Sequence, residues 1–195
     1  MSEVDHSRNA DETVPGGSRT FSGEEEVVRV WDPLVRIFHW SLVAGIAFAW
    51  ITSEGLDRVH ELIGYGVAIL IAIRLVWGFV GSKYARFSQF VKGPRATLAY
   101  LRRMVRGKAP RHLGHNPAGA AMIIALLTTI MVTLVSGWMM TLDTFWGVEW
   151  VEELHEVVAN FVLVLVAFHV AGVIHASVTH RESLVKAMIT GLKRK

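Results

Sequence analysis

Four apolar stretches dominate the sequence, at residues 34–51, 62–80, 118–140 and 154–178. Each meets or approaches the roughly 20 residues that an α-helix needs to cross a hydrocarbon core about 30 Å thick. Composition agrees: 52% of the 195 residues are apolar, 19% are charged, and the mean hydropathy is +0.38, a balance more apolar than soluble domains show. The chain therefore reads as an all-α integral membrane protein, a four-helix bundle occupying residues 27–195. Little sequence is left for a second domain.

The remainder divides by charge. Residues 1–26 carry seven acids against Arg8 and Arg19 and lack the apolar core of a signal peptide, so they read as a disordered tail. Residues 81–117 hold nine Lys or Arg and no acid, whereas residues 141–153 carry Asp143, Glu149, Glu152 and Glu153 and no base. The positive-inside rule makes the basic loop cytoplasmic and the acidic one external, and four spans then leave both termini cytoplasmic. Within the basic loop, residues 94–107 place Leu98, Leu101 and Val105 on one helical face and Arg95, Arg102, Arg103 and Arg106 mostly elsewhere. That pattern predicts a helix on the membrane surface, its basic residues facing lipid rather than nucleic acid. Trp31, Trp50, Trp77, Trp138 and Trp150 fall where interfacial anchors are expected.

There is no cysteine, which removes disulfides, iron–sulfur clusters, thiolate metal sites and covalent heme attachment together. Any metal must sit on other donors, and the chain has nine histidines. His6, His112, His115 and His180 read as solvated residues of the tail and loops. His39, His60, His155, His169 and His175 lie within or at the ends of spans, where an ionisable side chain is costly and usually functional.

His155 and His169 are 14 residues apart, nearly four full turns, so they share one helix face at depths about 21 Å apart. His175, 20 residues beyond His155, projects from the opposite face and is the poorest ligand candidate. Depth selects the partners: His60 lies level with His155, and His39 with His169. Facing imidazoles in an apolar bundle suit six-coordinate heme iron, whereas structural zinc wants four ligands gathered at one place. The reading is two b hemes, with Arg36, one turn before His39, beside the inner heme's propionates, and Arg58 the outer candidate. Arg74, on the second span, reads first as snorkelling to the cytoplasmic surface, with the inner heme or a quinone as its other partners.

The segments Val30-Trp-Asp-Pro-Leu-Val-Arg-Ile-Phe-His39-Trp, Arg58-Val-His60-Glu-Leu-Ile-Gly-Tyr-Gly66, Arg74-Leu-Val-Trp-Gly-Phe-Val-Gly81 and Tyr84-Ala-Arg-Phe87 resemble the bacterial cytochrome b561 family, as do His115-Asn-Pro-Ala-Gly119, the stretch from Glu153-Leu-His155 through His169, and Ala187-Met-Ile-Thr-Gly191. The family includes the b-type cytochrome subunits of nickel–iron hydrogenases. The resemblance spans about residues 27–195. It implies a four-helix inner-membrane cytochrome with two bis-histidine hemes on His39, His60, His155 and His169.

The function implied is electron transfer in a respiratory chain between membrane quinone and an external redox protein such as a c-type cytochrome. Short outer loops and the absence of a fifth span disfavour a hydrogenase partner. Two six-coordinate irons leave no position for oxygen chemistry. Two rivals stand beside this reading. A stand-alone superoxide:quinone oxidoreductase calls for a basic outer funnel, which the acidic loop opposes, and a heme-free anchor subunit leaves four intramembrane histidines unexplained.

Overall fold

The computed structural model describes residues 27–195, and the tail expected at residues 1–26 lies outside the described residues. Four helices are long and apolar enough to cross a membrane: α1 (Pro33–Ile51), α2 (Asp57–Val80), α5 (Pro117–Met140) and α6 (Glu149–Thr179). Two short helices, α3 (Phe87–Phe90) and α4 (Pro94–Val105), lie between α2 and α5, and α7 (Leu184–Thr190) follows α6. Strands β1 (Val27–Arg29) and β2 (Leu192–Arg194) pair antiparallel, Val27 opposite Arg194. The ribbon puts both ends of the described chain at the end of the bundle that carries the basic loop. The short α1–α2 and α5–α6 connections form the opposite, acidic end.

Helix starts follow from two dipeptides. Asp32-Pro33 and Asn116-Pro117 each supply an N-cap side chain followed by proline at the first helical position, where the missing N–H costs nothing. Asp32 accepts from Val35 N at 2.9 Å, and Asn116 from Gly119 N at 2.7 Å. Asp32 also accepts from Trp77 Nε1 at 3.2 Å and from Ser82 Oγ, tying the start of α1 to the end of α2. Burial works against its charge, but the hydrogen bonds from Ser82, Val35, Trp77 and Leu34 outweigh it and hold the carboxyl below the usual range.

The core is formed by Phe38, Val67, Ile71, Leu127, Ile130 and Val162, contributed by all four spans. Large apolar side chains elsewhere on the spans, such as Ile69, Phe79, Phe161 and Phe168, face outward, as lipid contact requires. Helix α5 packs most closely along α6, α1 packs along α2, and α2 also touches α5. Little backbone packing joins α6 to α1 or α2, so side chains such as Val162, packed with Phe38, Val67 and Ile71, make the contact between α6 and the first hairpin.

The basic end is closed by a latch. Gly191 O accepts from Val30 N and Trp31 N at 2.9 and 3.1 Å, while Gly191 itself sits at φ +83°, where a Cβ would approach Trp31 O to 2.6 Å. Only glycine fits that corner. Behind it Val30, Trp31 and Ala187 form a second small core with Tyr84 and Met188. Glu182 pairs with Arg111 at 3.3 Å and with buried Lys193 at 3.5 Å, and Lys193 Nζ donates to His112 O at 3.2 Å. Trp31 is thus a core residue, 7% exposed, and not the lipid anchor its position before α1 suggests. Trp50, Trp138 and Trp150 are exposed, as anchors should be.

Candidate functional site

Two histidine pairs lie between α6 and the first hairpin. At the basic end His39 of α1 meets His169 of α6 with ring centroids 6.3 Å apart, and at the acidic end His60 of α2 meets His155 of α6 at 6.1 Å. The pairs match those expected from helix face and depth. Val162, seven residues from each α6 histidine, belongs to the core packed between the two depths. His175 is exposed, away from both pairs.

The acidic-end rings are anchored to backbone. His60 Nδ1 lies 2.8 Å from Ala49 O, one of the last four carbonyls of α1, which lack an intrahelical amide partner. His155 Nδ1 lies 3.0 Å from Thr133 O and 3.1 Å from Ser136 Oγ. A carbonyl only accepts, so each Nδ1 carries the hydrogen, and each Nε2 keeps the lone pair that binds a metal. Gly137 completes the contact, because a Cβ there would stand 2.9 Å from His155 Cε1.

At the basic end buried nitrogens are left open instead. His39 Nδ1, Arg36 Nε and Arg74 Nη1 are buried and have no hydrogen-bond partner. Arg36 also donates to Ile189 O of α7. Arg74 is 4% exposed, donates to Ala85 O at 3.2 Å and lies over the Phe87 ring at 4.8 Å. It does not snorkel to the surface: the loop after α2 folds over its guanidinium and supplies a carbonyl and an aromatic face.

His115 corrects a second expectation. It is no solvated loop residue, for its ring lies 4.5 Å from that of Trp31 and 4.6 Å from that of Phe90, and its Nδ1 is buried without a partner. Burial, then the charges of Arg74, Lys193 and His169, push its pKa down to about 3, so the ring is neutral. The signal missed was the adjoining Asn116-Pro117 helix start, which pins the preceding residue against the bundle.

Among the described residues no three His, Cys, Asp or Glu side chains gather to hold a metal ion. Each pair offers two ring nitrogens, so a metal held there would take its remaining donors from a cofactor. Two imidazoles on opposite sides of one metal are separated by about 6 Å between ring centres, from a metal–nitrogen bond of roughly 2 Å and a ring radius of about 1 Å on each side. Both observed spacings fit. A Cβ at Gly64 or at Gly172, about one turn from His60 and His169, would meet nothing within 4 Å. Buried, unpartnered guanidinium nitrogens at the basic end are the donors that carboxylate side arms want.

Fold and site thus define a multi-pass membrane protein with paired intramembrane histidines. The chain belongs to the prokaryotic cytochrome b561 family, whose profile matches residues 30–191. A relative from Azotobacter vinelandii, named as a probable Ni/Fe-hydrogenase B-type cytochrome subunit, is 24% identical over 222 residues, covering 88% of this chain and 92% of the relative. That likeness gives no support to the expectation against a hydrogenase partner. No solved structure matches the chain with significance. The protein is accordingly a membrane b-type cytochrome of electron transport.

Proposed function

We propose that this chain binds two b hemes, one between His39 and His169 and one between His60 and His155, and passes electrons across the inner membrane between quinone and a redox protein at the acidic face. The observation that carries this reading is the pair of facing imidazole couples, 6.3 and 6.1 Å apart, stacked along one helix. Heme iron, when bound, supplies the one-electron change, and the protein supplies its setting.

His60 and His155 present Nε2 in a fixed tautomer through their bonds to Ala49 O and Thr133 O. Arg36 and Arg74 neutralise carboxylates at the basic end, where their free nitrogens lie. The apolar core from Phe38 to Val162 keeps water from the space between the sites. The basic end is cytoplasmic by the positive-inside rule. The acidic face carries exposed Asp143, Glu149, Glu152 and Glu153, which suit a partner with a basic docking surface. A c-type cytochrome answers that description, and the hydrogenase named for the relative is a second candidate to test.

The test is a reduced-minus-oxidised spectrum of the detergent-solubilised protein with pyridine hemochrome quantification. Two b hemes per chain are expected, with one lost on replacing His60 or His155 and the other on replacing His39 or His169. A chain that stays heme-free when heme is plentiful would overturn the reading.

A further inference from the structure

Ser136 is 1% exposed, on the side of α5 that meets His155 of α6. Its hydroxyl donates back to Thr133 O at 3.0 Å, the ordinary way a helical serine satisfies itself inside a membrane. That bond alone would give the residue no role. Two further contacts distinguish it. Ser136 Oγ lies 3.1 Å from His155 Nδ1, and His155 Nδ1 lies 3.0 Å from the same Thr133 O.

The three atoms form a closed triangle whose hydrogens can be assigned. Thr133 O accepts only, and it takes the His155 Nδ1–H and the Ser136 hydroxyl beside the Gly137 N–H of its own helix. Because Nδ1 carries its hydrogen, Ser136 cannot donate to the ring, and its hydroxyl hydrogen goes to the carbonyl. Ser136 Oγ then turns a lone pair toward His155, and Nδ1–H finds two acceptors. Both acceptors draw the proton away from the ring and raise the electron density at Nε2. The adjoining Gly137 sets the distance, because a Cβ there would lie 2.9 Å from His155 Cε1 and 3.2 Å from Nδ1. Helix α5 thus approaches the ring edge as nearly as bare backbone allows. His60 has a single acceptor, Ala49 O, and His39 Nδ1 has none.

The geometry points to Thr133, Ser136 and Gly137 as a seat on α5 that fixes the orientation and donor strength of His155, with Ser136 the positioning residue that lowers the reduction potential of the acidic-end heme. The inference rests on the two-heme reading above. A more electron-rich axial imidazole stabilises ferric iron, so removing the Ser136 hydroxyl makes that heme easier to reduce.

The experiment is a potentiometric titration of both hemes in wild-type, Ser136→Ala, Ser136→Thr and Gly137→Ala proteins, with low-temperature EPR of the ferric state and hemochrome counts. Ser136→Ala is expected to keep two hemes and shift the reduction equilibrium of the acidic-end heme about three- to tenfold toward the reduced form, tenfold being about 59 mV for one electron. The other heme stays put, and Ser136→Thr, which keeps the hydroxyl, restores the wild-type value. Gly137→Ala displaces the ring and changes the EPR signal of the acidic-end heme alone. Unchanged potentials and EPR in Ser136→Ala would reduce the serine to packing and overturn the proposal, as would a shift confined to the other heme. Failure of the two-heme reading shows separately, as a wild-type chain without two hemes or a His155→Ala protein that retains both.

Discussion

The acidic-end and basic-end histidine pairs have nearly equal ring separations but are held by opposite means. At the acidic end each Nδ1 is tied to a carbonyl of a neighbouring span, Ala49 O for His60 and Thr133 O for His155. At the basic end His39 Nδ1 has no partner, and neither do Arg36 Nε and Nη1 of buried Arg74. One end fixes its rings with the protein's own backbone; the other leaves polar nitrogens open. Hydrogen bonds to Nδ1 favour ferric iron and nearby cations favour ferrous iron, so the same heme should be harder to reduce at the acidic end.

The comparison breaks most sharply under ligand replacement. His60→Ala and His39→Ala should each lower heme content from two to one per chain, removing different bands from the reduced spectrum, as hemochrome assay and difference spectra will show. Glu182→Ala comes next. It strands Lys193, 5% exposed and paired with Glu182 at 3.5 Å, and breaking a buried pair costs roughly 3 kcal/mol. A heme-band thermal melt should show the basic-end heme released first and at a lower temperature than in wild type. Arg74→Gln should lower the midpoint of the basic-end heme by roughly 60 mV, a tenfold change in its one-electron equilibrium, and leave the other heme unmoved in redox titration.

The smallest effect is that of pH. His115 titrates near 3 in the fold against 6.5 when unfolded, so the unfolded chain binds the extra proton between those values and stability falls as pH drops through that window. From pH 7 to 6 the loss is roughly 0.5–1 kcal/mol. His115→Gln should remove that slope from thermal melts recorded at a series of pH values, while the acidic-end heme reports no local change.

Much of this contrast was legible in the sequence, because hydropathy and helical spacing are local properties. On their basic sides the four spans end within about one residue of the apolar runs, at Pro33, Val80, Pro117 and Thr179. At the acidic side α2 and α6 begin about five residues early, at Asp57 and Glu149, since a helix continues through charged residues once it leaves the hydrocarbon. The histidine pairing followed from a 14-residue interval and depth alone. What spacing could not reveal depends on contacts between distant segments: the burial of His115 and Trp31, the loop folded over Arg74, and the carbonyls that reach His60 and His155. No spacing singles out Ser136, and Gly137 is a small residue of a kind that close helix packing also uses.

The ribbon of β1 and β2 joins Val27 to Arg194, positions separated by 194 − 27 = 167 residues. At a synthesis rate of about 5–20 residues per second, the strand near the start of the fold waits on the order of ten seconds for its mate to leave the ribosome. The latch around Arg36, Glu182 and Lys193 needs nearly the whole chain as well. The basic end therefore cannot close until the last residues are made, and a chain cut short before Gly191 would have the four spans without the clasp that ties their basic ends together.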